Sequence, residues 1–207
     1  MRQQCLMAAA IALTAIGVPL TPVISNATQP AQEVSIANAV IASAASAKSL
    51  KNFDSTALST HNSYRSTHNV PAMTQDNALA ARARAWSANM ARSGTLQHSP
   101  SSARDGAGEN LFVSYTTGSA DPASVARQAV KSWYDEVSDY NYSNPGFSSN
   151  TGHFTQVVWK SSTRLGCGIA EGSKNLSGNT YKAYYVTCHY APAGNVMGQF
   201  PTNVLKP

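Results

Sequence analysis

A chain of 207 residues, 43% hydrophobic and only 12% charged, describes one globular domain with a further segment attached, long enough to bury its own core. Lys and Arg number 15 against 10 Asp and Glu, a net charge of +5. The basic residues are scattered, with no run of five, which argues against a nucleic-acid groove and leaves only mild affinity for acidic surfaces.

The N-terminus reads MRQQCLMAAAIALTAIGVPL, with Arg2 followed by an apolar stretch from Leu6 to about Val18. Pro19 and Pro22 interrupt it, and small residues at Ser25 and Ala27 offer a cleavage site. The stretch is short for a bilayer span, so 1–27 is expected to be a cleaved secretory signal and the protein extracellular; an uncleaved anchor is the alternative. Cleavage would remove Cys5 and leave Cys167 and Cys188. In an oxidising compartment two cysteines most simply form one disulfide, worth about 3 kcal/mol by loop-closure entropy, with a metal–thiolate pair as the alternative.

Residues 28–53 are Ala/Ser-rich and are expected to form a flexible leader to a domain spanning 54–207. Asp54 or Ser55 could cap a helix through ALSTHNSYR, with Leu58, His61 or Asn62, and Arg65 along one side. Asp76 caps a second helix whose Leu79, Ala83, Trp86 and Met90 recur at helical spacing and which Gly94 ends. Asp121-Pro122 opens a third, with Val125, Ala129, Trp133 and Val137 on its apolar side. Strands are expected at 111–116, 154–160, 164–172 and 181–190. The Lys160–Arg164 gap and the SKNLSGN segment would join neighbouring antiparallel strands. This pattern places a few helices against a short antiparallel sheet.

Of the five histidines, His98 follows a helix end and His153 opens the stretch GHFTQVVW, where Thr155 and Gln156 intrude into an apolar run. Glu109 precedes a strand and Glu136 lies late on the third helix. These four suit a divalent cation held by His98 and His153 with Glu109 and Glu136 on bound water, or a carboxylate base beside a metal-activated water. They equally suit a hydrogen-bonded quartet that locks loops together, and no H-x-x-x-H or H-E-x-x-H spacing decides among these readings. His61 and Asn62 are expected to tie the first helix to loops, and His189 and Tyr190 to support the PAGN turn. His68 receives no role.

GHFTQVVW at 152–159, CHYAPAGN at 188–195, HNSYR at 61–65 and GENL at 108–111 resemble four ordered motifs of the CAP superfamily, the cysteine-rich secretory, antigen 5 and pathogenesis-related-1 proteins. The resemblance covers about 54–203. It implies an α+β fold, a three-layer α-β-α sandwich with a short, mostly antiparallel central sheet. It also implies a disulfide between the last two strands and one cavity lined by His98, Glu109, Glu136 and His153. The chain differs from plant and animal members in keeping a single cysteine pair, and is most similar to secreted fungal members that bind and export sterols.

The segment YNYSNPGF, with Tyr140, Tyr142, Pro145 and Phe147, is similar to the sterol-binding loop of those fungal members. Three rings on such a loop could cover a flat apolar ligand while their hydroxyls stay in water, or could simply cover a sheet edge. The expected function is binding of sterols and fatty acids, with a Zn2+ or Mg2+ ion in the cavity that sterol capture does not need. The alternatives are a metal-dependent peptidase, for which no nucleophile elbow is visible, and a non-catalytic signalling module. A monomer or weak dimer is expected, with transient membrane contact. Asn141 and Asn175 head glycosylation sequons.

Overall fold

The computed structural model describes residues 29–207, with side chains from residue 46, so the expected signal at 1–27 lies outside the described residues. Residues from Ala42 onward form one unit, and the architecture below is that unit's. In chain order the elements are α1 (Gln29–Thr67), β1 (Thr74–Gln75), α2 (Asn77–Ser93), α3 (Ser101–Arg104), β2 (Gly108–Thr116) and α4 (Pro122–Asp135). A 3-10 turn (Glu136–Asp139), α5 (Gly152–Val158), β3 (Arg164–Leu176), β4 (Asn179–Ala191) and α6 (Phe200–Asn203) follow.

The sheet order is β1-β3-β4-β2, with β1 parallel to β3 and the other pairs antiparallel. β3 and β4 form a long hairpin through Ser177-Gly178, both at positive φ (50° and 83°), the backbone that matches the twist of paired strands. Cys167 lies directly opposite Cys188, and the two are bridged across 21 residues.

Strand alternation assigns the layers. Leu165 and Cys167 of β3, with Tyr184, Val186, Cys188 and Tyr190 of β4, share a core with Phe53, Val130, Trp133, Phe154 and Val157 from α1, α4 and α5. The opposite face carries Leu111, Ala183 and Tyr185 against Met90 of α2. Two helical layers therefore enclose the sheet, giving the α-β-α sandwich that the family resemblance implies. On the α2 side a Cβ at Gly166 or Gly168 would collide with the backbones of Leu79, Ala80 or Arg84. The absent side chains allow α2 to lie directly on β3.

Asp76 caps α2 through the amides of Ala78 and Leu79 (2.9 and 3.0 Å), and Gly94 ends it at φ 66°. Asp121 caps α4 through Ser124 (3.0 Å). Three expectations need correction. Residues 29–53, expected as a flexible leader, are helical within α1, and Phe53 is fully buried in the main core. Asp54 and Ser55 are therefore interior to a helix, and Asp54 pairs with Arg84 instead of capping. The segment expected as a strand at 154–160 is helical as far as Val158, so the Lys160–Arg164 gap joins α5 to β3. As a helix, GHFTQVVW explains its polar residues: His153 and Gln156, three apart, share one face, while Phe154, Val157 and Val158 enter the core.

Candidate functional site

A cavity of about 540 Å3 opens between the connection after α2, the start of β2, α5 and the segment after β4. His98, Arg104, Glu109, His153, Gln156 and Asn195 are among its lining residues. Four separate segments supply the four residues singled out in the sequence, and the fold joins them as two imidazole–carboxylate pairs; Glu136 is not among the cavity's lining residues, contrary to the expectation that all four line it.

In the first pair His98 Nδ1 donates to Glu109 Oε1 (2.7 Å). The same oxygen accepts from the Ser99 amide (2.9 Å), and Oε2 accepts from Ser99 Oγ (2.6 Å) and His189 Nε2 (3.0 Å). The Glu109 side chain is fully buried. Burial alone would push its carboxyl up, but the hydrogen bonds from His189, His98 and Ser99 outweigh it and hold the group well below the usual carboxylate range. Glu109 is thus a buried anion with its acceptor sites filled.

In the second pair His153 Nδ1 donates to Glu136 Oε1 (2.7 Å), and Oε2 accepts from the amides of His153 and Phe154 (3.0 and 3.1 Å). Trp133 lies nearly parallel to the His153 ring, with centroids 6.4 Å apart. Trp133 itself is fixed by its indole N–H on Leu111 O (2.8 Å). Asn110 donates to His153 O (3.1 Å), tying α5 to β2.

Because a carboxylate only accepts, each ring carries a proton on Nδ1, and in the neutral imidazole that tautomer makes Nε2 the lone pair. Imidazoles oriented in this way by carboxylates are the usual outer arrangement of a metal-binding histidine. Glu109 and Glu136 stand behind the rings and do not reach forward to grip water as the sequence reading expected. Among the described residues no group of three or more His, Cys, Asp or Glu side chains converges, so a cation here would take two protein nitrogens and complete its shell from solvent or ligand.

Gln156 and Asn195 also line the cavity, and the sequence reading assigned them nothing. Gln156 Oε1 accepts from the Gly194 amide (2.9 Å), and its Nε2 donates to Ser162 Oγ (3.1 Å). Asn195 accepts from Thr155 Oγ1 (2.6 Å) and donates to Gly152 O (2.8 Å). Together they clamp α5 to the AGN end of CHYAPAGN. His189 and Tyr190, expected to support that turn, instead bind Glu109 and His61; Tyr190 Oη meets His61 Nε2 at 2.8 Å. Asn62 bonds both backbone groups of Met73. His68 is buried between Leu205 O (2.7 Å) and Tyr134 Oη (3.0 Å), a structural role that no local signal announced.

The aromatic loop divides. Tyr140 is a core residue, packed on Phe154 and edge-on to Tyr142. The hydroxyls of Tyr140 and Tyr142 are buried without a hydrogen-bond partner among the described residues, contrary to the expectation that they stay wet. Burial, then the neighbouring Tyr134 and Tyr140, pushes the Tyr142 hydroxyl up to about 12. Pro145 is half-buried, whereas Phe147 is 56% exposed and lines the cavity beside Gly152. The three rings therefore do not form one open cover; Phe147 alone reaches the opening. Asn141 and Asn175 are both exposed.

Fold and site together define an α-β-α sandwich with two carboxylate-backed imidazoles facing one cavity. The chain belongs to the CAP family, the cysteine-rich secretory protein family, whose pattern matches residues 58–190. Golgi-associated plant pathogenesis-related protein 1 of Homo sapiens is 38% identical over 160 residues, covering 76% of this chain and 95% of that protein. Protein PRY2 of Saccharomyces cerevisiae is 39% identical over 155 residues, covering 74% of this chain and 41% of its own length. Secreted protein RBT4 of Candida albicans is 39% identical over 162 residues, covering 72% and 40%. This chain thus spans less than half the length of these two fungal relatives. Among solved structures, NaASP2 with Zn2+ is 28% identical with a TM-score of 0.56, over 73% of this chain and 84% of that one. BmVAL-1, at 24% identity and a TM-score of 0.59, shares the fold over 75% and 84%.

Proposed function

We propose that this chain is a secreted, non-catalytic lipid-binding protein that takes up sterols and fatty acids at the mouth of its central cavity. The observation that carries this reading is Phe147, a large apolar ring left 56% exposed on the rim of a cavity of about 540 Å3. That volume lies within the range of small-molecule sites. Removing several hundred Å2 of a steroid or acyl chain from water, at about 25 cal/mol per Å2, would offset the cost of ordering it. Secretion is supported by the likeness to a relative named as secreted, and no helix among the described residues is long and apolar enough to cross a membrane.

The same reading gives the cavity a divalent cation on the Nε2 atoms of His98 and His153. A pair of neutral imidazoles suits Zn2+ far better than Mg2+, which prefers oxygen ligands. The NaASP2 structure with Zn2+ is in keeping with this choice. The cation is not needed for lipid capture. Hydrolysis by this site has weaker support, because both carboxylates already serve imidazole and amide donors and neither is free to act as a base.

Equilibrium binding of radiolabelled cholesterol and ergosterol, with and without chelator, tests the proposal. Phe147→Asp should weaken binding at least tenfold without moving the melting temperature, and chelator should leave binding unchanged. Full binding by the variant would remove the loop from the mechanism. Peptide cleavage that is lost on Glu136→Ala would replace lipid binding with catalysis.

A further inference from the structure

The two imidazole–carboxylate pairs are held in different ways. Glu136 needs no side-chain help, since the free amides of His153 and Phe154 at the start of α5 take its second oxygen (3.0 and 3.1 Å). Glu109 lies on β2, paired with β4, and not at a helix N-terminus. Among the described residues its second oxygen is met only by side chains, Ser99 Oγ at 2.6 Å and His189 Nε2 at 3.0 Å. His189 reaches it because β2 and β4 pair Glu109 directly with His189, on the sheet face that packs against α2.

His189 is fully buried, and its Nδ1 has no hydrogen-bond partner among the described residues. An imidazole kept only for packing would be a poor choice there, because a hydrocarbon of similar size leaves no orphaned nitrogen. What the ring supplies is one N–H aimed at a buried carboxylate whose other oxygen orients His98.

We infer that His189 is a positioning residue: it fixes the Glu109 carboxylate and, through it, holds His98 in the Nδ1–H form that presents Nε2 to a cation. The inference deepens the cation site proposed above and rests on that reading for its metal arm alone. Without His189, Glu109 loses one of four donors and can turn, and His98, 58% exposed, has no other partner among the described residues to hold its ring.

The test uses His189→Met, which removes the donor, and His189→Gln, whose amide can restore an N–H near the position of Nε2. Long-range 1H–15N spectra of the metal-free protein report the tautomers of His98 and His153 separately. In His189→Met, His98 should become a mixture of tautomers while His153 keeps its wild-type shifts, which also certifies the fold. Zinc titration should show an affinity about 10–100-fold weaker, the usual effect of losing an outer-shell partner. His189→Gln should recover most of both signals. An unchanged His98 tautomer in His189→Met, or a glutamine variant as impaired as the methionine one, would overturn the inference. Should methionine prevent folding, Gln against the shorter Asn gives the same comparison, and equal His98 behaviour in those two overturns it. If wild-type protein binds no zinc, the cation reading fails, and the His98 tautomer still decides the role of His189.

Discussion

Arg65 shows how one residue can hold several segments. Its guanidinium is buried and donates to Pro71 O (2.8 Å), Val157 O (2.9 Å), Trp159 O (2.8 Å) and Ser162 O (2.9 Å), without an ion-pair partner among the described residues. Burial lowers its pKa to about 10, so it remains charged at neutral pH, and four fixed carbonyl dipoles stand in for a counter-ion. Three of these carbonyls, those of Val157, Trp159 and Ser162, flank the end of α5 and the connection to β3, so Arg65 orients the helix that carries His153. A lysine offers three donors from one point and cannot span that fan. Arg65→Lys should leave at least one or two buried carbonyls unpaired and cost about 3 kcal/mol, read as a lower urea midpoint with an unchanged m-value. A loss below about 1 kcal/mol would show that water takes over the carbonyls.

At the scale of elements, the contact of α2 with β3 is set by what the strand lacks. Glycine at 166 and 168 removes the side chains that would hold the helix away, and Ser87 of α2 then reaches Gly168 O and Thr187 Oγ1 (both 3.0 Å). Gly168→Ala would drive a methyl group into the Arg84 backbone, and backbone cannot rotate aside. Destabilisation of about 3 kcal/mol is expected, with the tryptophan fluorescence of Trp86 reporting the displaced helix. Gly118→Ala, where a Cβ meets nothing within 4 Å, is the matched control. Local signals sufficed for α2 and α4, where Asp76, Gly94 and Asp121-Pro122 mark the ends and the apolar stripe repeats over several turns. They failed for α5, because seven residues rich in valine and phenylalanine sample too little of the helical period to outweigh β propensity. The clue was there in His153 and Gln156, three residues apart. The site itself was legible only through the family resemblance, since its four residues come from separate elements and share no spacing. Ser99 and His189 escaped both routes: Glu109 meets His189 across 80 residues through strand register, which no local pattern encodes.

At the scale of the whole molecule, the buried histidines and Glu109 make stability fall as pH falls. His61 is fully buried, its Nδ1 donating to Ala57 O (2.7 Å) and its Nε2 accepting from Tyr190. Burial, with a smaller contribution from the charge of Arg65, lowers its pKa from 6.5 to about 4 despite the opposing Ala57 bond. The unfolded chain therefore binds a proton between these values that the native protein refuses. This contribution is complete above about pH 6.5 and is lost as pH falls to about 4, roughly 3 kcal/mol in all. His68, whose pKa burial also lowers, acts in the same sense. Glu109 extends the loss to lower pH: its folded pKa lies below the ordinary 4.5, so its stabilisation holds above that value and disappears as acid protonates the native carboxylate. Melting temperatures followed by circular dichroism should be nearly flat from pH 8 to 6.5 and then fall steadily towards pH 4. His61→Gln should shrink that fall whatever its absolute stability, because glutamine has nothing to protonate. An equal slope in the variant would assign the acid sensitivity to the carboxylates instead.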